Sequence, residues 1–256
     1  MKRLYRIAIT GLGFFAFGFF GIFFQFLIFP AIVVLVHPIE RRKRVARAII
    51  HVTFAWFIEF LRVIGVLKWT AEGLDTLKHP GQLILANHLT LIDVVFLFSF
   101  TPNACAIVKK SIAKNPFTWG ALYAAGYIVN QGGNELIEQS IKELREGSNL
   151  IIFPEGTRTP AGIRPKLKHG AMVTSLRSEI SPTLVAIDCK PRGLSKEKPW
   201  WKVPDSAMQF SFKVLGKLDI SPYLPLYQEA PPKATRALCQ AIFDKLFSHY
   251  DNMPSR

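Results

Sequence analysis

Cysteine and acidic residues are the two scarce components of this chain. The three cysteines are odd in number, lie far apart and form no Cys-x-x-Cys pair, so the sequence predicts neither a disulfide framework nor a zinc knuckle. Asp and Glu together number 18 against 32 Lys and Arg, which leaves a formal net charge of +14. An excess of this sign attracts polyanions such as nucleic acid, an anionic bilayer surface or a phosphorylated substrate.

Signatures of several common function classes are also missing. The sequence has no Gly-x-Ser-x-Gly nucleophile elbow and no His-Glu-x-x-His motif, so we expect neither a nucleophilic serine nor a bound metal. No RNP, helix-turn-helix or zinc-finger signature accompanies the positive charge, so we expect no nucleic-acid partner. Apolar residues make up 50% of the chain and 21 residues are Phe, a composition that argues against disorder and indicates a membrane.

The longest apolar stretch lies near the N-terminus. Residues 7–36 contain no charged side chain and exceed the roughly 20 residues that a helix needs to span a bilayer. The stretch is longer than the roughly 7–15-residue apolar region of a secretory signal peptide and has no small-residue cleavage site, so we interpret it as a membrane segment. Gln25 and Pro30 interrupt it, which leaves open whether it spans the membrane or kinks and re-enters.

Basic residues flank this segment unequally. Three basic residues precede the segment and five follow it between residues 41 and 47. The positive-inside rule therefore places the remaining chain on the cytoplasmic face of the membrane. In a bacterium this would be the cytoplasmic face of the inner membrane. Residues 45–67 predict a second, partly amphipathic helix at the headgroup level, with an ordinary core helix as the alternative. We therefore predict N-terminal membrane-associated helices over residues 1–67 and a second domain over residues 68–256.

From residue 68 onward, short β-rich runs alternate with helical patterns. The predicted strands are residues 68–72, 82–86, 104–108, 127–130, 149–153, 183–187 and 208–215. The predicted helices are residues 91–99, 116–125, 134–146, 168–178 and 233–250. Alternation of this kind is typical of an α/β fold with a mostly parallel sheet flanked by helices.

Two polar residues follow the second predicted strand at a spacing that favours proton transfer. His88 lies at the carboxyl end of the strand, where α/β sheets bind ligands, and Asp93 lies in the first turn of a helix that we expect to begin near Thr90. A carboxylate bonded to one ring nitrogen fixes the tautomer and lets the other nitrogen accept a proton. The pair therefore predicts a general base, with a surface histidine beside a helix-start aspartate as the alternative.

A second strand, at residues 149–153, runs into a basic turn. Residues 153–158 read Phe-Pro-Glu-Gly-Thr-Arg, in which Gly156 permits close backbone approach and Arg158 offers planar donors suited to a phosphate. Arg164, Lys166 and Lys168 follow closely, so positive charge concentrates on this loop. The loop predicts an anion-binding site, with a solvated basic face as the alternative.

Taken together, Asn87-His88-x-Thr90-x-x-Asp93 and residues 153–158 resemble the first and third motifs of the glycerolipid acyltransferases, typified by 1-acyl-glycerol-3-phosphate acyltransferases. Residues 108–120 and 167–170 are similar to that family's lysine-containing and Phe-Lys-x-Gly blocks. The resemblance covers roughly residues 67–187. It departs at residue 131, where Gln131 stands in place of an Arg that helps hold the acceptor phosphate in the family.

The resemblance implies a membrane-bound enzyme that moves a fatty acyl group from acyl-CoA or acyl carrier protein, as co-substrate, to a lysophospholipid hydroxyl. The acceptor it implies is 1-acyl-sn-glycerol-3-phosphate, and no other cofactor is expected. His88 would be the base and Asp93 its orienting partner, while backbone N–H groups near Gly156 would stabilise the oxyanion. Substrate binding would involve Asn87, Thr90, Lys109, Glu155, Gly156, Thr157, Arg158 and Lys168, with Thr90 also capping the helix.

Three alternatives stay open on the sequence. In the first alternative, the acceptor is another lipid or a polyene-type alcohol and acyl carrier protein is the donor, because Gln131 weakens the case for lysophosphatidic acid. His88 would instead activate water in a thioesterase or lipid hydrolase. In the third alternative, the chain binds lipid at a membrane without catalysis. This alternative explains the apolar segment and the positive charge but not the His88–Asp93 pair.

Overall fold

One seven-stranded sheet forms the centre of the computed structural model, which describes residues 2–197 and 199–247. All seven predicted strands are present, with ends that differ by at most three residues. The strands are β1 (Leu67–Glu72), β2 (Leu83–Ala86), β3 (Ala104–Lys109), β4 (Ile128–Asn130), β5 (Asn149–Ile152), β6 (Thr183–Lys190) and β7 (Met208–Lys217).

The strands are ordered β1-β7-β6-β2-β5-β3-β4. All neighbouring pairs are parallel except β6 and β7, which confirms the predicted mostly parallel sheet. β2 lies in the middle, and its four residues, Leu-Ile-Leu-Ala, are all buried. A continuous apolar run of this kind is what a strand covered on both faces requires.

Helices cover both faces of the sheet. They are α1 (Lys2–Phe23), α2 (Phe29–Leu35), α3 (Ile39–Val63), α4 (Asp93–Phe100), α5 (Lys110–Ala113), α6 (Trp119–Ala125), α7 (Gly133–Arg145), α8 (Gly170–Ser178), α9 (Leu224–Glu229) and α10 (Pro231–Phe247). One apolar core joins α3, α4 and α6 to one face, and a second joins α8 and α10 to the other. The helix predicted at residues 233–250 corresponds to α10, and residues 248–250 lie outside the described part of the chain.

α1 and α2 form a single helical run, joined by a π-helical segment, Phe24–Ile28. Pro30 has no N–H to donate and its ring crowds the carbonyl four residues earlier, so the wider π turns accommodate it without a break. The interruption predicted at Gln25 and Pro30 is therefore a change of helix type. The run from Arg3 to Leu35 has 33 residues and is, by length and composition, able to cross a membrane.

α3 packs into the core on one face of the sheet. Its Ala46, Ile50, Ile58 and Leu61 are buried in the core that contains the sheet residues. On its other side Trp56 is 76% exposed, so the outer face of α3 also carries an apolar side chain. The boundary between residues 67 and 68 stays a prediction, since β1 begins at residue 67 and α3 shares the core of the sheet.

Candidate active site

The carboxyl ends of β2 and β5 bring the two predicted motifs together. These strands pair in parallel with Leu85 opposite Ile152, so the residues that follow them leave the sheet at the same edge. His88 follows β2 and Phe153 follows β5, and their rings stack with centroids 4.3 Å apart. Strand register alone thus places the segment of residues 87–93 against that of residues 153–158.

A hydrogen bond couples His88 to Asp93. His88 Nδ1 lies 3.0 Å from Asp93 Oδ2. The Asp93 side chain is fully buried, whereas that of His88 keeps 15% of its surface exposed. Because a carboxylate oxygen can only accept, the geometry assigns the ring proton to Nδ1 and leaves a lone pair on Nε2. Nε2 is therefore the nitrogen able to take a proton from a substrate.

The same carboxylate organises the turn between the two residues. Asp93 Oδ2 accepts the backbone N–H groups of Leu89 and Thr90 at 2.6 and 2.7 Å, and Oδ1 accepts the Thr90 hydroxyl at 2.5 Å. α4 begins at Asp93, and its N-cap residue is Ile92. The prediction that Thr90 caps this helix is wrong, because its hydroxyl is used by Asp93. Thr90 is fully buried, and its contact with substrate stays a prediction.

Asn87 anchors the turn to β6. Its Nδ2 donates to the Ile187 carbonyl at 2.8 Å, and its Oδ1 accepts the Ile187 N–H at 2.7 Å. The side chain is 1% exposed and both ends of its amide are used within the protein. Asn87 therefore holds the end of β2 in place, and its contact with substrate also stays a prediction.

Glu155 lies behind the His88 turn. Its Oε1 accepts the backbone N–H of His88 at 2.9 Å and the Thr159 hydroxyl at 3.3 Å, and Thr159 N–H donates to the His88 carbonyl at 2.8 Å. Burial raises the pKa of Glu155 to about 7, because loss of water disfavours the carboxylate. Glu155 thus fixes the backbone of His88 from within, and its predicted role in positioning the acceptor stays a prediction.

We expect Glu155→Gln to be as stable as the wild type at acidic pH and more stable at alkaline pH. The folded-state pKa of about 7 lies above the ordinary value of 4.5, so the wild type loses stability as the pH rises from about 4.5 to about 7. Gln keeps the acceptor oxygen but has no charge to bury. The difference in free energy of unfolding should reach roughly 3 kcal/mol at high pH.

Urea unfolding of both proteins across this pH range measures the effect. The exposed Glu72→Gln substitution is the matched control and should show no such pH dependence. A difference between Glu155→Gln and the wild type that stays constant with pH would contradict the assigned cause.

A cavity of about 1400 Å³ opens in front of His88. Its lining is mostly apolar and includes side chains from α1, α3 and α4, among them Phe20 and Phe57. Four cationic side chains also line it, whereas none of its lining residues in the described part of the chain is Asp or Glu. The cations are Lys109, Arg158, Lys168 and Lys196. A cavity of one charge sign attracts an anionic ligand, so its chemistry suits a molecule with an anionic group and long apolar chains.

Gly156 and Thr157 complete the predicted set and also line the cavity. Gly156 has a φ of +67°, and a Cβ there would come within 2.8 Å of Lys168 Cε, so glycine permits both the turn and the approach of Lys168. The Gly156 N–H donates to the Phe153 carbonyl at 2.9 Å and is not free for an oxyanion. Stabilisation of the oxyanion by other backbone N–H groups near Gly156 stays a prediction.

Lys196 is the cavity cation that the sequence analysis missed as a site residue. It lies in the loop after β6, whose Leu194 carbonyl accepts hydrogen bonds from Arg158 Nη1 at 2.8 Å and from Leu91 N–H at 3.1 Å. These bonds hold the loop against both motifs. No motif or periodicity marks this position, and only the tertiary contacts of the loop identify it.

Comparison with known proteins agrees with this geometry. Residues 68–187 match the family model described as Acyltransferase. The chain therefore contains a segment, just under half of its length, that is similar to this family. The fold of the chain is shared with the 1-acyl-sn-glycerophosphate (LPA) acyltransferase from Thermotoga maritima, whose crystal structure matches over 100% of both chains with a TM-score of 0.71 and 16% identity.

The names of the curated relatives of this chain include two different acceptors. A 1-acyl-sn-glycerol-3-phosphate acyltransferase from Helicobacter pylori is 30% identical over 47% of this chain and 53% of its own. One of the same name from Pseudomonas aeruginosa is 25% identical over 46% and 48%. A lyso-ornithine lipid O-acyltransferase from Pseudomonas aeruginosa is 28% identical over 52% and 53%. The chain spans about half the length of these relatives.

Proposed function

We propose that this chain is a membrane-bound acyltransferase that moves a fatty acyl group from acyl-CoA or acyl carrier protein to a lysophospholipid hydroxyl. The acceptor in this proposal is 1-acyl-sn-glycerol-3-phosphate, and the product is phosphatidic acid. The observation that carries it is a histidine, bonded through Nδ1 to a buried aspartate, that faces an apolar cavity with four cations. The names of the relatives support the acceptor.

The reaction needs a base because a neutral hydroxyl is a poor nucleophile. His88 Nε2 takes the hydroxyl proton as the oxygen attacks the thioester carbonyl, and Asp93 stabilises the imidazolium that forms. The tetrahedral intermediate then collapses, the C–S bond breaks, and the imidazolium returns its proton to the leaving sulfur. One ester bond replaces one thioester bond, and no acyl-enzyme intermediate is needed.

The lining of the cavity supports a lysophospholipid as acceptor. Phosphate oxygens are strong partners for guanidinium and ammonium groups, and Arg158, Lys168, Lys109 and Lys196 are the cations available there. Arg158 is pre-oriented, since its Nη1 is tied to the Leu194 carbonyl. The apolar walls that α1 and α3 contribute suit the fatty chains of both substrates.

The N-terminal helices support a membrane location. Many apolar side chains of α1 point away from the protein, with Phe15 and Phe19 69% and 60% exposed, although other residues of this helix line the cavity. A helix that is apolar on both sides fits lipid on one side and the acyl chains of substrates on the other. The larger basic cluster after this run supports the cytoplasmic face of the bacterial inner membrane.

Two observations favour a second candidate acceptor. Gln131 stands where an Arg is expected to help hold the phosphate, and it is exposed and does not line the cavity. The sequence similarity to a lyso-ornithine lipid O-acyltransferase covers 52% of this chain, against 47% and 46% for the two curated 1-acyl-sn-glycerol-3-phosphate acyltransferases named above. The second candidate is therefore the same transfer to the hydroxyl of a lyso-ornithine lipid.

Thiol release from acyl-CoA, measured with and without acceptor, tests the proposal. We expect release to require lysophosphatidic acid and to be roughly tenfold or more slower with monoacylglycerol, which has no phosphate for the cavity cations. Faster release with lyso-ornithine lipid would assign the second acceptor. Release without acceptor would identify a hydrolase, and no release from acyl-CoA or acyl carrier protein would identify a lipid-binding module.

A further inference from the structure

A second exposed apolar surface flanks the cavity, outside the N-terminal helices. It belongs to residues 110–125, which comprise α5, α6 and the turn between them and which we call the arm. Four of its large side chains are between 42% and 59% exposed: Ile112, Phe117, Trp119 and Tyr123. Single exposed apolar residues are common on proteins, but a cluster of this size marks an interaction surface.

The arm is continuous with the apolar run of α1 and α2. Phe26 of the π-helical segment meets Phe117 edge-on, with ring centroids 6.2 Å apart. Gln25 Nε2 donates to the Pro116 carbonyl at 2.7 Å, and Gln25 Oε1 accepts the Ala121 N–H at 3.2 Å. The one buried amide of this segment thus fastens the arm to the N-terminal helix. The two elements present a single apolar face.

The charge around the arm is of one sign. Residues 109–134 contain three lysines and no Asp or Glu. The Arg42 guanidinium, from the basic start of α3, lies 4.9 Å from the centroid of the Tyr123 ring. Tyr123 in turn stacks on Trp119, with centroids 5.3 Å apart. Trp and Tyr rings beside Lys and Arg are the combination that concentrates at the headgroup level of anionic bilayers.

We propose that the arm is a second membrane contact, which lies at the headgroup level of an anionic bilayer and forms the rim over which lipid enters the cavity. Ile112, Phe117 and Thr118 line the cavity from the arm, and Phe20 and Phe24 line it from the N-terminal helix. A lipid held between them moves from the bilayer to the cavity without crossing water. This inference rests on the membrane location proposed above and adds a surface to it.

The observations favour lipid over an acidic carrier protein as the occupant of this surface. Both would be attracted by the lysines. The arm is continuous with the exposed Phe26 and carries four large exposed apolar side chains on one short segment. A bilayer into which α1 and α2 also insert accounts for both observations, whereas an acidic protein surface accounts for neither. The carrier protein is therefore the alternative that the experiments must distinguish.

Fluorophore quenching locates the arm without any need for activity. In a protein with the substitutions Trp119→Cys and Cys239→Ser, the two remaining native thiols, Cys105 and Cys189, are buried, so a label reacts at residue 119. An environment-sensitive label at residue 119 should shift to shorter emission wavelength in vesicles of phosphatidylethanolamine and phosphatidylglycerol, and nitroxide lipids should quench it. The matched label at Ile163→Cys should be quenched by aqueous iodide instead. Equal iodide quenching at both positions would overturn the proposal.

Residue 163 is a suitable control because it is 50% exposed and lies on the other side of the sheet. Its neighbour Arg164 covers the ring of Phe243, which belongs to the core beneath α10, whereas the arm packs on the opposite core.

Trp119→Glu tests the surface in catalysis. We expect transfer to an acceptor carried in the same vesicles to fall roughly tenfold, because a carboxylate is repelled from anionic headgroups, and transfer to an acceptor in detergent micelles to stay unchanged. Trp119 is the first residue of α6 and does not line the cavity, and an acidic residue is favourable in a first helical turn. Ile163→Glu should change neither rate.

Two outcomes would overturn the proposed lipid contact. One is an equal loss of transfer rate in the Trp119→Glu protein with acceptor in vesicles and with acceptor in micelles. The other is a loss confined to acyl carrier protein as donor and absent with acyl-CoA, which would make the arm a carrier-docking surface. If the quenching shows insertion and no transfer occurs with any acceptor, the proposed reaction fails and the membrane contact stands.

Discussion

Replacing His88 by alanine is expected to lower kcat for acyl transfer about 10²–10⁴-fold, the range that general-base catalysis supplies. The structure leaves Nε2 of this imidazole with a lone pair at the cavity, because Nδ1 is held by Asp93. Alanine removes the proton acceptor and leaves the cations around the cavity in place. The KM for acceptor should therefore change far less than kcat. Thiol release at saturating acceptor measures both.

The matched control is His79→Ala, which removes an exposed imidazole outside the site. It should keep wild-type turnover. Exogenous imidazole should restore part of the rate of the His88→Ala enzyme, since the vacated space adjoins an open cavity. Near-wild-type turnover of His88→Ala would show that another group accepts the proton.

The fold followed from the sequence because its signals are local and repeated. Short apolar runs that alternate with helical patterns indicated all seven strands and the parallel sheet. The places that differ are those where tertiary contacts decide. Arg47 is an example: the sequence analysis counts it among the basic residues that set the orientation of the membrane segment, but it is 2% exposed. It donates to Glu143 at 2.9 Å and to the Ala125 carbonyl at 2.8 Å, so it joins α3 to the sheet domain.

The candidate site was predictable in its chemistry and less so in its roles. The two motifs and the basic loop name His88, Asp93, Arg158 and Lys168, the family resemblance names Lys109, and the strand register brings them together. The sequence could not show on which side of the turn each polar side chain lies. Glu155 is 6% exposed and bonds to the backbone of His88, because the turn after β5 crosses behind the turn after β2. Spacing along one chain holds no information about that crossing.

Asp93→Asn is expected to lower kcat on the order of 10²-fold or more while the fold is kept. Two backbone N–H groups, of Leu89 and Thr90, donate to Asp93 Oδ2. They force the amide oxygen of Asn into this position and its NH₂ toward the Thr90 hydroxyl, which can rotate to accept. The His88 Nδ1 bond survives in this orientation. The substitution therefore removes the negative charge that stabilises the imidazolium and little else, and thiol release measures the loss.

A pair of further variants separates this electrostatic role from a structural one. Asp93→Ala leaves the same two backbone N–H groups without their acceptor, so its free energy of unfolding should fall by about 1–3 kcal/mol, whereas Asp93→Asn should stay close to the wild type. Asp75→Asn, at a side chain that is 93% exposed, controls for the chemical change itself and should alter neither property. If Asp93→Asn unfolds as readily as Asp93→Ala, its loss of activity reports a collapsed turn. If it is stable and fully active, the carboxylate contributes no charge stabilisation, and His88 works as a base without it.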